Sequence, residues 1–355
     1  MDNKCLLNIG PKNLGEILTR WLSLQDLSRL DSAVCSQKHR TEFLSLLASK
    51  EFLFLIEEIA VSHKFKLSTT AHRYLEIKAL DWIRKRGLHL GSLRLPSPNR
   101  INEAENEKIR AAVASLVDEG RLDKLETIDF NKCYYIKDSD LAALLSKCYG
   151  SLKILDIGWC SKDTLFGSYA SIQEWRLEQT GITTAQIQRC KMLQAFSPMG
   201  NESEEDLIKI VKSCTNMRKL DFSPFGDIVT SAVVRCVAAH CHLLEHVNVA
   251  GFDKKQSNKA IRKLVSCPLL QYVDLSKTRI TDETVRVLSN HCPLLETIIL
   301  SGCPNVTSAG LELIASNCVM LKNVVIEEPL LGSRSVVTLR NSFPLIHFCS
   351  KFFRL

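Results

Sequence analysis

A cysteine recurs through the C-terminal half of this chain at nearly constant spacing, and the same apolar pattern follows each copy. In the clearest copy, Cys292 is followed by Leu295, Ile298 and Leu300, at positions three, six and eight counted from the cysteine. Five further copies start at Cys190, Cys214, Cys241, Cys267 and Cys318. The steps between the six starts are 24, 27, 26, 25 and 26 residues. A recurrence of this period is the signature of a solenoid built from one stacked unit.

Each unit reads as a strand, a turn and a helix. The apolar residues at positions six and eight alternate with their neighbours, which is the period of a strand. A polar residue then precedes apolar residues at helical spacing, as at Ser203, Thr281 and Thr307. The side-chain oxygens of such residues can cap a helix by accepting hydrogen bonds from backbone N–H groups of its first turn. Because one unit alone cannot bury both its strand face and its helix face, the units are expected to stack.

The template also extends beyond the cysteine copies. Upstream, Gly87, Leu122 and Tyr149 occupy the start position. At the other end, Ser342 is expected to start a copy with Leu345 at position three and Phe348 at position six, after which the pattern ends. The region 157–190 is irregular, since its starts lie only 20 and 21 residues apart (residues 149, 169 and 190), and we expect short loops or 3₁₀ turns there.

The segment from Cys292 to Thr307 resembles the cysteine-containing subclass of leucine-rich repeats, whose motif is C-P-x-L-x-x-L-x-L-S-G-C followed by an (I/L)-T-D element. The resemblance covers roughly residues 87–355. It implies an α/β leucine-rich-repeat solenoid, a horseshoe with a parallel sheet on its concave side and helices outside, preceded by an all-helical N-terminal segment.

The N-terminal segment carries a second resemblance. Apolar residues from 14 to 22 form a helical stripe, and Asp26 is placed to cap a second short helix. With Glu16 and the pair Val34-Cys35, this segment resembles a degenerate F-box, although Gly15 replaces the usual proline and the spacing from Glu16 to Asp26 is shorter. The resemblance implies docking to a Skp-type adaptor. The residues expected to contact it are Leu14, Ile17, Leu18, Trp21, Leu22, Asp26, Leu27 and Val34.

The chain is therefore expected to comprise an F-box-like helical segment at 1–48, a helical connector or cap at 49–86 and the solenoid at 87–355. The alternative for the N-terminal helices is a cap that only covers the open end of the solenoid, because solenoids require such caps. Both interpretations use the same apolar faces.

Positions five and seven of each strand are expected to face the concave side and to bind a protein target. Aspartate recurs at position seven and forms a discontinuous polar ladder; since it is common there in the repeat family, the alternative is that it belongs to the repeat consensus. Aromatic residues such as Tyr272 and His246 often dominate interface energies. The predicted target-binding residues are Asp129, Asp156, Arg176, Lys219, Asp221, His246, Asn248, Tyr272, Asp274 and Thr297.

No catalytic, cofactor-binding or metal-binding residue is expected, so the chain is not predicted to be an enzyme. The sequence has 14 cysteines but no Cys-x-x-Cys pair, and most of them fall in two repeat positions suited to packing. The pairs His240-Cys241 and His291-Cys292 share one repeat position, where a histidine complements a helix C-terminus. Phosphate-loop, nucleophile-elbow and zinc-protease motifs are absent from the sequence.

Composition narrows the class of partner. The formal net charge of +7 is spread along the chain without a basic stripe, so nucleic acid is not expected as a ligand. The most apolar run, residues 52–56, is far shorter than a membrane span, and the N-terminus lacks a signal-peptide pattern. We therefore expect a cytoplasmic or nuclear protein without a membrane partner.

The order of an F-box-like segment followed by cysteine-type repeats resembles the F-box/leucine-rich-repeat family. This resemblance implies the substrate-recognition subunit of an SCF-type ubiquitin ligase, which acts in proteasomal degradation. The alternative is a stand-alone scaffold or inhibitor that has no ligase adaptor.

Overall fold

The computed structural model describes most of the chain from residue 77 onward. The described residues are 41, 44, 53–54, 77–95, 103–131, 133, 135–158, 182–198, 202–222, 229–252 and 257–350. Outside them lie the eight predicted adaptor contacts, all of the F-box-like segment except residues 41 and 44, Arg176 and most of the irregular region. Within the described part, no helix is both long and apolar enough to cross a bilayer.

The chain divides into two compact units, residues 1–190 and 191–355. The strands of the first unit are β1 (Leu53–Phe54), β2 (His89–Leu90), β3 (Ser92–Arg94), β4 (Thr127–Asp129) and β5 (Ile154–Asp156). Its helices are α1 (Ile77–Lys85), α2 (Glu103–Asp118), α3 (Asp138–Cys148) and α4 (Ile182–Ile187). Strands β3, β4 and β5 pair in parallel in chain order, and β1 pairs in parallel with β2.

The second unit repeats the strand–helix alternation. Its strands are β6 (Ala195–Ser197), β7 (Lys219–Asp221), β8 (His246–Asn248), β9 (Tyr272–Asp274), β10 (Thr297–Ile299), β11 (Asn323–Val325) and β12 (His347–Cys349). Its helices are α5 (Glu204–Ser213), α6 (Ser231–His240), α7 (Ser257–Ile261) with a 3₁₀ turn (Arg262–Ser266), α8 (Asp282–His291), α9 (Ser308–Asn317), α10 (Glu328–Leu331) and α11 (Arg334–Ser342). Each strand pairs in parallel with the next, as the repeat predicts.

The strands of the cysteine repeats cover positions five to seven of the template, and equal positions pair with each other. Thr297, for example, pairs with Tyr272 on one side and Asn323 on the other. Position six is buried in every described strand of the second unit: Phe196, Leu220, Val247, Val273, Ile298, Val324 and Phe348. Positions three and eight are buried in the same way, as Leu295 and Leu300 show. The predicted core positions are thus confirmed.

Backbone hydrogen bonds join each repeat to the preceding one. The N–H of Thr297 donates to the Gln271 carbonyl at 2.9 Å, and the N–H of Asn323 donates to the Glu296 carbonyl at 3.0 Å. An isolated repeat would leave these amides unpaired, at a cost comparable to a lost hydrogen bond for each buried group. Stacking is therefore required by the backbone as well as by the apolar faces.

Ser203 and Thr307 cap their helices through the side chain as predicted, whereas Thr281 makes no side-chain capping hydrogen bond. Ser203 Oγ accepts the Asp206 N–H at 3.1 Å, which satisfies one of the unpaired amides at the start of α5. Asp282 Oδ1, at the start of α8, accepts the N–H of Thr307 in the next repeat at 2.8 Å. A Cβ at Gly310 would lie 2.2 Å from that Asp282 oxygen, so the close approach of the two helix starts requires glycine there.

The last repeat departs from the expected alignment. Leu345 was expected at the buried position three, but its side chain is 92% exposed. The turn before β12 is one residue shorter than in the cysteine repeats, and Phe343, not Ser342, takes the helix-capping place of the cysteine by donating its N–H to the Leu339 carbonyl. Leu345 consequently corresponds to the exposed position two, and the prediction for it is wrong, whereas Phe348 is buried as expected.

Leu295→Ala should lower the free energy of unfolding by roughly 2–5 kcal/mol, because a fully buried leucine leaves a cavity when truncated. Its neighbour Leu294 is 38% exposed, so Leu294→Ala should change stability by no more than about 0.5 kcal/mol. Urea unfolding of the two variants measures both values. Equal losses would contradict the assignment of positions two and three.

Candidate functional site

The open face of each sheet carries the side chains of positions five and seven, because position six points into the core. In the first unit this face displays Asp129 and Asp156, and these side chains are committed to neighbours. Asp129 forms an ion pair with Arg94 at 2.6 Å, and Asp156 Oδ1 accepts the Asn131 amide at 3.1 Å. The candidate site therefore lies in the second unit.

A hollow of about 420 Å³ opens on the sheet face of the second unit, over strands β7 to β10. We call it the sheet-face hollow. Six of the predicted target-binding residues line it: Lys219, Asp221, His246, Asn248, Tyr272 and Thr297. Asp274 lies on the same strand as Tyr272 but does not line the hollow.

A stacked pair of rings forms the middle of the hollow. His246 and Tyr272 lie on paired strands in equal register, and their ring centroids are 5.6 Å apart with planes 20° from parallel. Both residues are half-buried, so part of each ring remains accessible. Aromatic pairs of this geometry gain about 0.5–1.5 kcal/mol beyond the area that they bury. The pair is thus a preformed anchor that needs little ordering on binding.

Ion pairs between adjacent strands border the hollow. Glu296 binds Lys322 at 2.8 Å, and Glu245 binds Arg218. These side chains stand at position four, just before each strand. Exposed pairs of this kind contribute little to stability. They do fix the side chain of Glu296, which lines the hollow directly.

Two lining residues other than the buried strand positions were absent from the predicted set, namely Gln271 and Glu296. Both occupy position four, whereas the prediction considered only the strand positions five and seven. The recurrence of polar residues at position four, including Glu245 and Lys322, could have shown that this position also borders the face.

Thr297 and Asn248 line the hollow but are nearly buried, at 6% and 8% exposure, so they form its floor and are not displayed as predicted. Thr297 lies between the larger Asn323 and Tyr272 of the two paired strands, and Asn248 Oδ1 accepts a hydrogen bond from the Ala250 N–H. Thr297 Oγ1 also accepts the Asn323 amide at 3.2 Å. Thr297 and Asn248 can therefore contact a partner only at the floor of the hollow.

Position seven has a structural role that explains its acidic ladder. Asp274 Oδ1 accepts the N–H of Ser276, two residues later, at 2.9 Å. Asn248 does the same for Ala250, Asp129 for Asn131, and Asp156 for Gly158, at 3.0, 3.2 and 3.1 Å. A short side-chain oxygen at position seven thus closes the turn after each of these strands. This observation favours the repeat-consensus interpretation of the aspartates over a dedicated target site.

The cysteines that start the repeats are buried, and each ends a helix. The N–H of Cys292, for example, donates to the Leu288 carbonyl at 2.9 Å. Burial raises the pKa of the thiols of Cys241, Cys267 and Cys292 to about 12 and that of Cys318 to about 11. Because the thiolate is the nucleophile and metal ligand, neutral buried thiols suit packing rather than chemistry.

The two histidines next to these cysteines cap helices. His240 Nδ1 donates to the Cys236 carbonyl at 2.9 Å, and His291 Nδ1 donates to the Val287 carbonyl at 2.8 Å. Each bond satisfies a carbonyl of the last helical turn, as the sequence predicted. In the part of the chain that the structure describes, no group of three or more His, Cys, Asp or Glu side chains is arranged to hold a metal ion.

Comparisons with known proteins agree with this fold. A protein-family model described as a leucine-rich repeat matches residues 266–289. A transport inhibitor response 1-like protein of Oryza sativa subsp. japonica is 30% identical over 71 residues, which are 20% of this chain and only 12% of that protein.

Two solved structures are also similar. A chain in the crystal structure of the Rad7 and Elc1 complex in yeast matches with a TM-score of 0.53 at 14% identity, covering 95% of this chain and 87% of that chain. The leucine-rich repeat-containing protein LegL7 from Legionella pneumophila matches with a TM-score of 0.42 at 12% identity, covering 76% of this chain and 86% of that chain. The chain has an α/β leucine-rich-repeat solenoid fold, as its sequence predicted.

The free energy of unfolding should fall as the pH rises from about 9 towards about 12. In the unfolded chain the thiols ionise near their ordinary pKa of 9.0, whereas in the folded chain Cys241, Cys267 and Cys292 remain neutral until about 12. Stability from these raised pKa values is complete below pH 9 and is lost above it, because ionisation favours the unfolded state.

Urea unfolding at several pH values measures this fall, and Cys267→Ala provides the control. The free energy of unfolding should fall less steeply with pH in the variant, because unfolding releases about one proton fewer than in the unaltered protein. If the variant and the unaltered protein had the same pH dependence, the burial of the Cys267 thiol would be refuted.

Proposed function

We propose that the sheet-face hollow binds a protein partner, and that the stacked pair His246 and Tyr272 anchors it. The support is the combination of a preformed ring pair, accessible polar groups around it and a rigid strand framework. Binding energy at protein interfaces concentrates on a few aromatic or arginine side chains in well-packed pockets. A hollow of about 420 Å³ can accept a few side chains of a partner segment.

We further propose that the chain is the substrate-recognition subunit of an SCF-type ubiquitin ligase. The N-terminal segment, which resembles a degenerate F-box, would dock a Skp-type adaptor, and the hollow would hold the target for proteasomal degradation. Two relatives support this assignment. The solved structure that matches over 95% of this chain is one chain of the Rad7 and Elc1 complex in yeast. The protein that is 30% identical over 71 residues is a transport inhibitor response 1-like protein.

In this proposal the chain is not an enzyme, binds no cofactor and contributes no bond-making residue. Its contribution is proximity, because it holds a target beside a catalytic subunit and so converts an encounter into an intramolecular step. The buried, neutral state of the repeat thiols is consistent with this role.

The second candidate is a stand-alone scaffold or inhibitor, in which the N-terminal helices only cap the solenoid. The sequence observations that favour it are Gly15 in place of the F-box proline and the shortened spacing from Glu16 to Asp26. Both candidates use the sheet-face hollow, so they differ only in the adaptor.

His246→Ala combined with Tyr272→Ala should weaken partner binding at least about tenfold, since hot-spot truncations cost about 2 kcal/mol or more. Because both rings are only half-buried, stability should fall by less than the roughly 3–5 kcal/mol that truncation of a fully buried aromatic side chain costs. Quantitative co-purification from cells and thermal unfolding measure the two effects. The matched control is Arg235→Ala with Lys259→Ala, two exposed side chains on the outer helices.

A large loss of stability in the double variant would mean that the rings are core residues and not an anchor. Equal partner recovery with the double variant and with the control would remove the hollow from the interface.

Trp21→Asp should abolish co-purification of a Skp-type adaptor and a cullin while the repeats remain folded, because a charge would enter the apolar stripe that the resemblance assigns to the adaptor. Circular dichroism and thermal unfolding check the repeats. Recovery of neither adaptor nor cullin with the unaltered chain would exclude the ligase proposal and leave the scaffold.

A further inference from the structure

The charges around the ring pair of the sheet-face hollow are predominantly negative. Among the residues that line the hollow, Asp221 and Glu296 carry negative charge and Lys219 carries positive charge. Asp274 stands two residues after Tyr272 on the same face of β9 and adds a further carboxylate beside the hollow. The electrostatic balance near the rings therefore favours a cationic group of a partner over an acidic one.

The lining cation stands at the opposite end of the hollow from Glu296. Lys219 begins β7, whereas Glu296 directly precedes β10. Three strand spacings of about 4.8 Å, roughly 14 Å in all, separate the two positions. Lys219 is exposed, and exposed charges are largely screened beyond about 8 Å at physiological ionic strength. A positive group bound beside Glu296 would consequently meet little repulsion from Lys219.

Glu296 retains the capacity to accept further hydrogen bonds. Lys322 binds its Oε2 at 2.8 Å from the neighbouring strand β11. Within the described ranges, the Glu296 side chain has no other partner, and the side-chain amide of Gln271 has none. A carboxylate has about four lone-pair positions on its two oxygens. Oε1 of Glu296 and the carbonyl oxygen of the Gln271 amide can thus accept N–H groups from a ligand.

The carboxylate of Glu296 and the ring of Tyr272 are close enough to hold one ligand group together. Tyr272 pairs in register with Thr297, the residue after Glu296. Glu296 therefore starts one strand across and one residue back from Tyr272, at a backbone separation of about 6 Å. An aromatic face attracts a cation that lies within about 6 Å of the ring centroid. A single cation can satisfy both conditions.

The combination of a ring face and a carboxylate favours arginine over lysine. A guanidinium is planar, so it can stack on the tyrosine ring and present several N–H donors in its own plane to a carboxylate beside the ring. The lysine ammonium is a compact and strongly hydrated charge, which makes its transfer into a half-enclosed hollow more costly. The stacking of His246 on Tyr272 holds the ring in place before binding.

We propose that the sheet-face hollow receives an arginine side chain of the protein partner, with its guanidinium stacked on Tyr272 and hydrogen-bonded to Glu296. The inference rests on the proposed function, in which this hollow binds a protein, and adds the chemistry of the group that is recognised. An acidic side chain, which Lys219 would attract, is the competing ligand.

The test measures retention of the fluorescently labelled full chain on three immobilised peptide libraries at pH 8. Each library has one fixed central residue, which is arginine, its neutral analogue citrulline or glutamate, and the same flanking mixture of Gly, Ser, Leu and Val. The arginine library should retain at least about ten times more protein than either of the others, because a hydrogen bond to a charged group is worth about tenfold or more in affinity.

Two variants address the two contacts, and a third is the control. Glu296→Gln keeps the size of the side chain and removes its charge, and Tyr272→Leu keeps an apolar side chain and removes the ring. Each should abolish most of the preference for arginine over citrulline. The control is Glu283→Gln, which removes a glutamate that pairs with Arg286 at 2.7 Å on the exposed surface of α8 and should leave the preference unchanged. Thermal unfolding shows whether each variant is folded.

Equal retention by the arginine and citrulline libraries, a preference for the glutamate library, or an absence of retention by all three would each overturn the inference. An equal loss in Glu283→Gln would overturn it too. The proposed function fails on a different result, namely recovery of partners from cells that does not depend on the ring pair. If that recovery does depend on the rings while the libraries show no preference for arginine, the inference is wrong and the proposed function stands.

Discussion

The backbone hydrogen bonds between repeats determine the rest of this structure. In the five repeats that start at Cys214, Cys241, Cys267, Cys292 and Cys318, the amides at positions four and five donate to the position-four carbonyl of the repeat before, as Glu296 and Thr297 do with Gln271. A repeat therefore cannot satisfy its own backbone hydrogen bonds without the repeat before it. The apolar residues at positions three, six and eight are buried by the same stacking, so hydrogen bonding and burial favour one register.

This framework separates residues that hold the fold from residues that are free to bind. The short polar side chains at position seven close turns, the cysteines end helices, and the aspartate and threonine at the helix starts link one repeat to the next. Variation remains at position five, where the ring pair of His246 and Tyr272 stands, and at exposed turn residues such as Leu294 and Val319. Both surfaces are presented on a rigid scaffold, which reduces the ordering cost of binding.

The sequence predicts this fold well because one spacing rule fixes many residues at once. A start cysteine places Val273 or Ile298 in the core and Tyr272 on the open face without any knowledge of neighbours. The predictions fail where a turn changes length and where the spacing rule does not cover a position. Leu345 was misplaced because a turn shortened by one residue shifts the count from Ser342 to Phe343. The burial of Thr297 depends on larger side chains of the paired strands, and Asn248 is drawn in by its bond to the Ala250 N–H. Position four lies outside the strand pattern altogether.

The central claim is that consecutive repeats are held by equivalent amides, and hydrogen–deuterium exchange of the full chain tests it most directly. The amides of His246, Tyr272, Thr297 and Asn323 occupy the same position in four successive repeats, with N···O distances of 2.9 to 3.0 Å. They should be protected to a similar degree and should exchange together as denaturant is added, because each depends on the repeat before it. Exchange of any one of them at the rate of an unfolded chain, while its neighbours stay protected, would contradict the account.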